Sequence, residues 1–274
     1  MPRVSVIMPA YNHGKYIAEA IQSVLDQDFE DFELIVVDDG STDDTLAVVK
    51  QITDARIKLI EFPVNQSACV AANHAIREAK GEYLAMLSSD DMFLPKRLSR
   101  QVTYLDANPS VLAVFGKAEI VDEASRRLTD QGHYYYSAFD QPNQSRYEWL
   151  NRFFYQGNCL CHPSAMLRRS CFDRIGYYDE RLALVADLDY WVRLCLVGNI
   201  HVLQDKLIRF RVRDFEQNAS GQRPETQIRY AMEMRHVLKH FSRISDVDQL
   251  IGIFPQIADQ VSGDNHLASF LIAK

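Results

Sequence analysis

Two pairs of adjacent aspartates are the residues in this chain whose type and spacing are best suited to chemistry. Each pair closely follows an apolar run of the kind that forms a buried strand: Asp38 with Asp39, and Asp90 with Asp91. Two adjacent carboxylates repel each other unless a hard cation such as Mg²⁺ or Mn²⁺ holds them together. The second pair therefore indicates a divalent-cation site whose shell phosphate oxygens could complete, with a solvated turn as the alternative.

The residues after the first pair favour a ligand site over simple helix capping. Ser41 and Thr42 are themselves good N-caps for a helix over residues 43–52, so the two acids are not needed for that purpose. Ligands of open α/β sheets bind beyond the carboxyl ends of the strands, where Asp38 and Asp39 lie. A carboxylate at this place could accept a hydrogen bond from a nucleobase N–H.

The elements that must position these acids alternate along the first 90 residues. Apolar runs predict four strands, over residues 3–8, 32–37, 57–62 and 83–87. Helical spacing predicts three helices between them, over residues 16–25, 43–52 and 68–79. This alternation is typical of an α/β domain with a mostly parallel sheet.

The order of elements changes after Asp91. The later segments predict a helix over 96–108, a strand over 111–115, an irregular insertion over 122–147, a strand around 164–167, a helix over 186–197, a strand over 200–203 and a flexible loop over 214–223. From Pro224 onward the pattern is helical, which predicts a C-terminal helical appendage. The apolar residues 270–274 carry no helix stop signal, which suggests one module of a longer protein.

Composition limits the class of protein further. The 274 residues are 47% hydrophobic, enough for one large domain or one domain with an appendage. A net charge of −7 argues against a non-specific nucleic-acid binder. The five cysteines contain no CxxC pair, so we expect reduced thiols. The apolar runs are shorter than the roughly 20 residues of a membrane span, and without a signal-peptide pattern we expect a cytoplasmic location.

Five motifs, taken in order, resemble those of family 2 glycosyltransferases. They are PAYN at 9–12, VDDGSTDDT at 37–45, SSDDMFLP at 88–95, HPS at 162–164 and ADLDYWVRL at 186–194. They extend over about residues 3–215, so the resemblance depends on a constellation and not on one short pattern. It implies a GT-A type fold, Rossmann-like, with a mostly parallel central sheet flanked by helices.

The resemblance also implies a role for each matched residue. The nucleotide-binding candidates are Pro9, Ala10, Tyr11, Asn12, Asp38, Asp39, Asn73 and Asp90, with Asp39 pairing with the base. Asp91 is the candidate ligand of Mn²⁺ or Mg²⁺. Asp187 is the candidate general base, with Asp189 as second choice and an acid favoured by the helix dipole as the alternative interpretation. Possible donor or acceptor contacts are His162, Trp191, Arg211 and Arg213; Trp191 is equally a core residue, and the arginines could meet the diphosphate or lie on a solvated strand.

The reaction implied is transfer of a sugar from a nucleotide-diphosphate sugar, with uracil as the expected base, to a saccharide or lipid-linked acceptor. One carboxylate base and one metal suffice for a single displacement that inverts the anomeric carbon. Bacterial surface polysaccharide synthesis is the setting that the family suggests. On this basis residues 1–215 form the transferase domain, with a nucleotide-binding half over about 1–95 and an acceptor half over about 96–215, and 216–274 form a loop and helical extension.

Two departures from the family pattern leave a second function open. Ser88 stands where relatives often have an aspartate, and Ala186 stands where the acid before the base is usual. A degenerate module that binds a nucleotide or carbohydrate and acts as a scaffold is therefore the alternative. A nucleotidyltransferase would show a glycine-rich basic loop after the first strand, and a dinucleotide oxidoreductase would show GxGxxG; neither pattern is present.

The C-terminal residues offer one possible contact surface. Tyr230, Met234, Leu238 and Phe241 form an amphipathic stripe with basic residues beside it. Such a stripe usually covers the protein's own core. Its basic flank leaves open a peripheral membrane contact, which would suit a lipid-linked acceptor, or a dimer contact.

Overall fold

The computed structural model describes residues 1–129, 133–214, 218, 221 and 223–261. The strands within this part of the chain are β1 (Val4–Ala10), β2 (Phe32–Asp38), β3 (Ile57–Glu61), β4 (Tyr83–Met86), β5 (Met92–Phe93), β6 (Val111–Val121), β7 (Met166–Arg168) and β8 (Asn199–Arg211). The helices are α1 (Gly14–Leu25), α2 (Thr45–Gln51), α3 (Ala68–Glu78), α4 (Arg97–Ala107), α5 (Tyr134–Phe139), α6 (Arg146–Gln156), α7 (Ser170–Ile175), α8 (Ala186–Val197), α9 (Pro224–Leu238), α10 (Val247–Ile253) and α11 (Ala258–Val261).

The strands form one mixed sheet in the order β3-β2-β1-β4-β7-β6-β8-β5. The first four strands are parallel, as the alternating pattern predicts. Strand β7 runs antiparallel to both of its neighbours, while β8 is parallel to β6 and antiparallel to β5. The parallel strands therefore deliver the ends of β1, β2 and β4 to the same edge of the sheet.

Both faces of the sheet are covered, which explains why its central strands read as continuous apolar runs. Val4, Val6 and Met8 belong to the core on the side of α1 and α4, whereas Ile7 belongs to the core on the side of α3 and α8. All four side chains are fully buried. Because β1 is packed on both faces, the residues at its carboxyl end are held in fixed positions.

The predicted capping of α2 by Ser41 or Thr42 is wrong. The helix begins at Thr45, and Asp43 accepts a hydrogen bond from its backbone N–H at 2.9 Å. Ser41 and Thr42 instead contact Asn12, which donates its backbone N–H to Ser41 Oγ at 3.0 Å and accepts the Thr42 N–H at 2.8 Å. Their hydrogen bonds join the loops after β1 and β2.

The second half of the sheet is longer than predicted. Strand β6 continues to Val121 and β8 to Arg211, because these two strands pair with each other along their length. The pairing contains register shifts between Val111 and Ala118 of β6. The insertion over 122–147 is not wholly irregular: it contains α5 and leads into α6. A capping box of Ser145 with Glu148 starts α6 and is visible in the sequence.

The predicted C-terminal helices are present in the described residues. Val237 and Phe241 are fully buried against the core on the α8 side, while Tyr230 stays 39% exposed. The amphipathic stripe therefore packs largely on the protein's own core. The apolar end at 270–274 and most of the loop over 214–223 lie outside the described residues. Among those that are described, no helix combines the length and apolar character that a membrane crossing requires.

Gly40 closes the loop after β2 against the residues that precede α3. Its φ of +69° is left-handed, and an added Cβ would lie 2.5 Å from the backbone carbonyl carbon of Val64. Gly176 has a similar φ of +82° but nothing within 4 Å of such a Cβ. Alanine variants at the two glycines therefore allow the free-energy cost of a positive φ to be compared with and without a steric clash.

We predict that Gly176→Ala lowers the free energy of unfolding by about 1–3 kcal/mol, because its φ of +82° and ψ of −173° lie in a backbone region that is essentially restricted to glycine. Gly40→Ala should lower it by at least about 1 kcal/mol more, because the methyl group must displace backbone. Urea denaturation of both variants checks this. Equal losses would mean that the approach of residue 64 to Gly40 is not tight.

Candidate active site

The loops after β1 and β2 lie side by side at the carboxyl edge of the sheet. Ala10 pairs with Asp38 at the end of the two strands, and its carbonyl oxygen accepts the Asp39 N–H at 2.8 Å. Pro9 pairs with Val37 one step earlier. The next residue, Tyr11, is 42% exposed. The predicted nucleotide loop is thus placed directly beside the first acid pair.

The two acids of the first pair have different surroundings. Both are buried, and Asp39 accepts the backbone N–H groups of Gln66 at 2.7 Å and Ser67 at 3.0 Å. Asp38 accepts the Ser41 N–H through Oδ2, whereas its buried Oδ1 has no partner among the described residues. Asp39 therefore fixes the loop before α3, and each of its oxygens can accept a further hydrogen bond.

The second pair lies after β4 at the same edge. Asp91 is 2% exposed, and burial, followed by the charge of Asp90, raises its pKa well above the ordinary value. Its Oδ1 accepts the Arg211 backbone N–H at 2.8 Å, while Oδ2 makes no hydrogen bond among the described residues. Two crowded carboxylates with an unused oxygen are the donor set that a hard divalent cation prefers. These residues fit Mg²⁺ or Mn²⁺.

A histidine that sequence reasoning missed lies beside the second pair. His13 Nδ1 is 2.7 Å from Ser89 Oγ, and its Nε2 is 3.9 Å from Asp90 Oδ2 and 3.1 Å from Arg213 Nη1. Burial is the largest cause of its lowered pKa. Its position directly after the PAYN motif was the available signal. Arg213 therefore contacts His13 at the carboxyl edge of the sheet, and His13 lies next to Asp90.

The predicted contact of Arg211 with a diphosphate is corrected by the structure. The side chain is 1% exposed and donates to the carbonyl oxygens of Asp90, Asp122 and Glu123. It also forms an ion pair with Glu19 at 2.8 Å. With its guanidinium group bonded on all sides, Arg211 is a structural residue that holds the loop of Asp90 and Asp91.

Asp187 lies at the start of α8 and is half-buried. Asn158 donates to its Oδ2 at 2.6 Å, and the Leu188 N–H donates to its Oδ1 at 2.7 Å. Burial is the largest effect and raises the pKa of Asp187 to about 6. Burial is the largest cause of the raised pKa values of its ionisable neighbours, and the charge of Asp187 adds to it; these neighbours are Cys69, Cys161, Tyr178 and Tyr230. A carboxylate with this pKa is suited to take a proton near neutral pH.

Asp189, the second choice of base, has both oxygens engaged. Arg193 donates to Oδ2 at 2.8 Å, and His240 Nε2 lies 2.7 Å from Oδ1. Burial opposes the effect, but the hydrogen bond with His240 and the charge of Arg193 keep the pKa of Asp189 below the ordinary value. Residues two apart in a helix do not share a face, so Asp189 points away from the region of Asp187.

The structure also corrects the predicted contact of Asn73 with a ligand, whereas it agrees with the interpretation of Trp191 as a core residue. Trp191 has no exposed surface and packs edge-on against Phe115, so it is a core residue. Asn73 is 1% exposed, and its amide donates to the Tyr178 carbonyl oxygen at 2.9 Å and accepts the Tyr178 N–H at 3.0 Å. Asn73 therefore holds the segment around Tyr178 in place.

His162 remains on the side of Asp187. Its Nε2 lies 3.1 Å from the hydroxyl of Tyr178, whose pKa is raised by burial and by Asp187. Burial, with a smaller contribution from Arg97, lowers the pKa of His162 to about 4. The imidazole is therefore neutral at physiological pH and can only donate or accept hydrogen bonds.

A separate group of possible metal ligands lies on the Asp189 side of α8. Single ligand atoms of Asp189, His236 and His240 lie within 4.8 Å of one another. The same cleft is lined by four basic side chains: Arg181, Arg193, Lys239 and Arg243. This positive surrounding disfavours a further cation, so we interpret the group as ion pairs between α9 and its neighbours.

The fold and its edge define an α/β protein with two pairs of acids at the carboxyl edge of its sheet and a separate acid at the start of α8. A model of glycosyl transferase family 2 matches residues 5–176. The chain belongs to this family.

Relatives of known sequence and structure are consistent with this membership. The chain is 32% identical over 216 residues to the putative glycosyltransferase EpsE of Bacillus subtilis, covering 77% of this chain and 73% of EpsE. It is 33% identical to an uncharacterized glycosyltransferase of Rickettsia typhi, covering 78% of this chain and 65% of the relative.

Solved structures establish the fold. Residues 1–349 of S. aureus TarS in complex with UDP-GlcNAc superpose with a TM-score of 0.72 at 23% identity. The match covers 97% of this chain and 74% of that TarS fragment. The mannosyltransferase PcManGT of Pyrobaculum calidifontis, in complex with GDP-Man and Mn²⁺, gives 0.60 at 19% identity, covering 99% and 79%. The predicted GT-A fold is confirmed.

We predict that Arg211→Met lowers the free energy of unfolding by about 3 kcal/mol or more, because three carbonyl oxygens lose their donor. Arg209→Met is the matched control, because its side chain is 43% exposed and, within the described part of the chain, pairs with Glu119 alone. We expect the control to change stability by about 1 kcal/mol at most. Urea denaturation measures both; similar losses would contradict the structural role of Arg211.

Proposed function

We propose that this family 2 glycosyltransferase moves a sugar from a UDP-sugar to a hydroxyl of a saccharide or lipid-linked acceptor, with inversion at the anomeric carbon. The observation that carries the proposal is the pair Asp90 and Asp91. Burial and the charge of Asp90 raise the pKa of Asp91, and a divalent cation would hold both carboxylates ionised. An anionic diphosphate that approaches a protein of net charge −7 needs a divalent cation or local positive groups, and the paired acids favour the cation.

The donor assignment combines the site with the structural relatives. TarS has been solved with UDP and with UDP-GlcNAc, and PcManGT with GDP-Man and Mn²⁺. In this chain the exposed ring of Tyr11 and the carboxylate of Asp39 adjoin the loops after β1 and β2. We propose that Tyr11 and Asp39 bind uracil, Asp90 the ribose or sugar side, and Asp91 the metal.

Asp187 acts as the general base in this proposal. It accepts the proton of the acceptor hydroxyl while that oxygen attacks the anomeric carbon and the diphosphate leaves from the opposite side. Asn158 orients the carboxylate through its 2.6 Å hydrogen bond. A bound Mn²⁺ or Mg²⁺ supplies neutralisation of the charge on the departing diphosphate. One displacement inverts the configuration, so no nucleophilic side chain is required.

We place the acceptor beside α9 and α5. Tyr230 and Tyr134 are exposed aromatic residues, 39% and 58% accessible respectively. After burial, the charges of Tyr134 and Asp187 contribute to the raised pKa of Tyr230, which puts all three in one region. Aromatic rings with a polar group offer a flat apolar surface for a sugar ring. A surface polysaccharide intermediate is an acceptor of this kind.

We predict that Asp187→Asn lowers turnover by at least about 10²-fold, the usual contribution of a general base. The measurement is UDP release from a panel of UDP-sugars with water or saccharides as acceptor. Because the base must be ionised, the wild-type rate should rise with pH through about 6, the pKa of Asp187. Asp189→Asn should keep that pH dependence.

Undiminished turnover in Asp187→Asn would show that another residue is the base. UDP binding without turnover of any donor in the wild type would support the degenerate, scaffolding module instead.

A further inference from the structure

A carboxylate from the C-terminal helices binds the backbone that leads into α8. Glu233 of α9 accepts the N–H of Ala183 at 3.0 Å through Oε1, and those of Leu184 at 2.9 Å and Val185 at 3.1 Å through Oε2. Its side chain is 8% exposed and pairs with Arg229 at 2.7 Å. Burial opposes ionisation, yet the hydrogen bonds from Arg229 and the three amides keep the pKa of Glu233 below its ordinary value.

The N-cap residue of α8 supplies no cap of its own: Val185 makes no side-chain capping hydrogen bond, and Ala186 carries no acid. Backbone N–H groups at a helix start need partners, and the dipole of the helix favours a negative charge there. Within the helix, Asp187 accepts the Leu188 N–H. Glu233 adds a partner for the Val185 N–H and a second negative charge, from a helix about fifty positions further along the chain. Asp187 is the second residue of the helix that is fixed in this way.

Two further contacts, one from α9 and one from the turn after it, reach the segment that contains Asp187. His236 Nε2 lies 3.1 Å from Asp179 Oδ2, and His240 Nε2 lies 2.7 Å from Asp189 Oδ1. Glu233 and His236 are three residues apart in α9 and therefore share one face of the helix, and His240 follows the end of the helix. Their partners lie before, at and after the start of α8. The segment thus has three attachments. The one made by Glu233 lies just before Asp187 in the sequence, at residues 183–185.

We propose that Glu233 is a positioning residue for Asp187: it fixes the entrance of α8 with a carboxylate that this chain lacks at Ala186. The inference rests on the proposed role of Asp187 as the base. The proposal makes α9, which lies outside the matched residues 5–176, a working part of the transferase site and not an independent appendage.

The test compares Glu233→Gln with Glu225→Gln, a control on the exposed surface of the same helix. A glutamine presents one acceptor oxygen and one NH₂ donor to the three amides, so it cannot bind them all. We expect hydrogen exchange of the amides at 183–185 to become at least about tenfold faster in Glu233→Gln, with no change in β1.

The second readout is the titration of Asp187 by ¹³C NMR of its carboxyl carbon, assigned with Asp187→Asn. The midpoint should lie near 6 in the wild type and in Glu225→Gln. It should fall by about half a unit or more in Glu233→Gln, because a looser helix start lets water reach the carboxylate. Turnover should fall by roughly tenfold while the KM for the donor stays within about twofold.

An unchanged midpoint and unchanged exchange at 183–185 in Glu233→Gln would overturn the inference. Faster amide hydrogen exchange throughout the chain, including β1, would also overturn it, because Glu233 would then stabilise the whole fold and not the start of α8 in particular. Neither the hydrogen exchange nor the titration of Asp187 requires turnover. Full activity of Asp187→Asn would refute the proposed base itself and is distinguishable from both results.

Discussion

The guanidinium group of Arg211 is buried where four separate segments of the chain meet. An isolated cation would be costly at such a place, but carbonyl oxygens from two loops and the carboxylate of Glu19 surround it. The backbone N–H of the same residue binds Asp91 at 2.8 Å. The end of β8, the loop after β4, the turn after β6 and helix α1 are therefore one unit. The orientation of Asp91 depends on this unit.

Around that fixed loop, carboxylates of similar type have different tasks because their surroundings differ. Each oxygen of Asp39 accepts one backbone N–H, whereas the oxygens of Asp189 contact Arg193 and His240. Burial raises the pKa of both Asp91 and Asp187, and for Asp91 the charge of Asp90 adds to the effect. Asp187 and Asp189 are only two residues apart, yet their pKa values are shifted in opposite directions. Such a separation is typical of sites in which one acid takes up a proton and its neighbour stays ionised.

The sequence was a good guide where local pattern decides the outcome. The alternation of the first four strands, the acid pairs at their ends and the exact span of α8 over 186–197 follow from apolar periodicity. The same reasoning could not assign Arg211 or Asn73, because the partners of these residues are more than 80 positions away for the most part and depend on tertiary packing. Helix α6 was not predicted, although its capping box of Ser145 with Glu148 is present in the sequence. By contrast, no local signal links Glu233 to the start of α8.

The most direct test of the central claim is a calorimetric titration of UDP, with dTDP and GDP alongside, into the wild type and Asp91→Ala. Each titration is run with Mn²⁺ and with EDTA. We predict that UDP binds the wild type tightly only with Mn²⁺ and that Asp91→Ala removes this dependence. UDP binding that is equally tight with EDTA, or full Mn²⁺ dependence in Asp91→Ala, would contradict a metal-assisted diphosphate site at the carboxyl edge of the sheet.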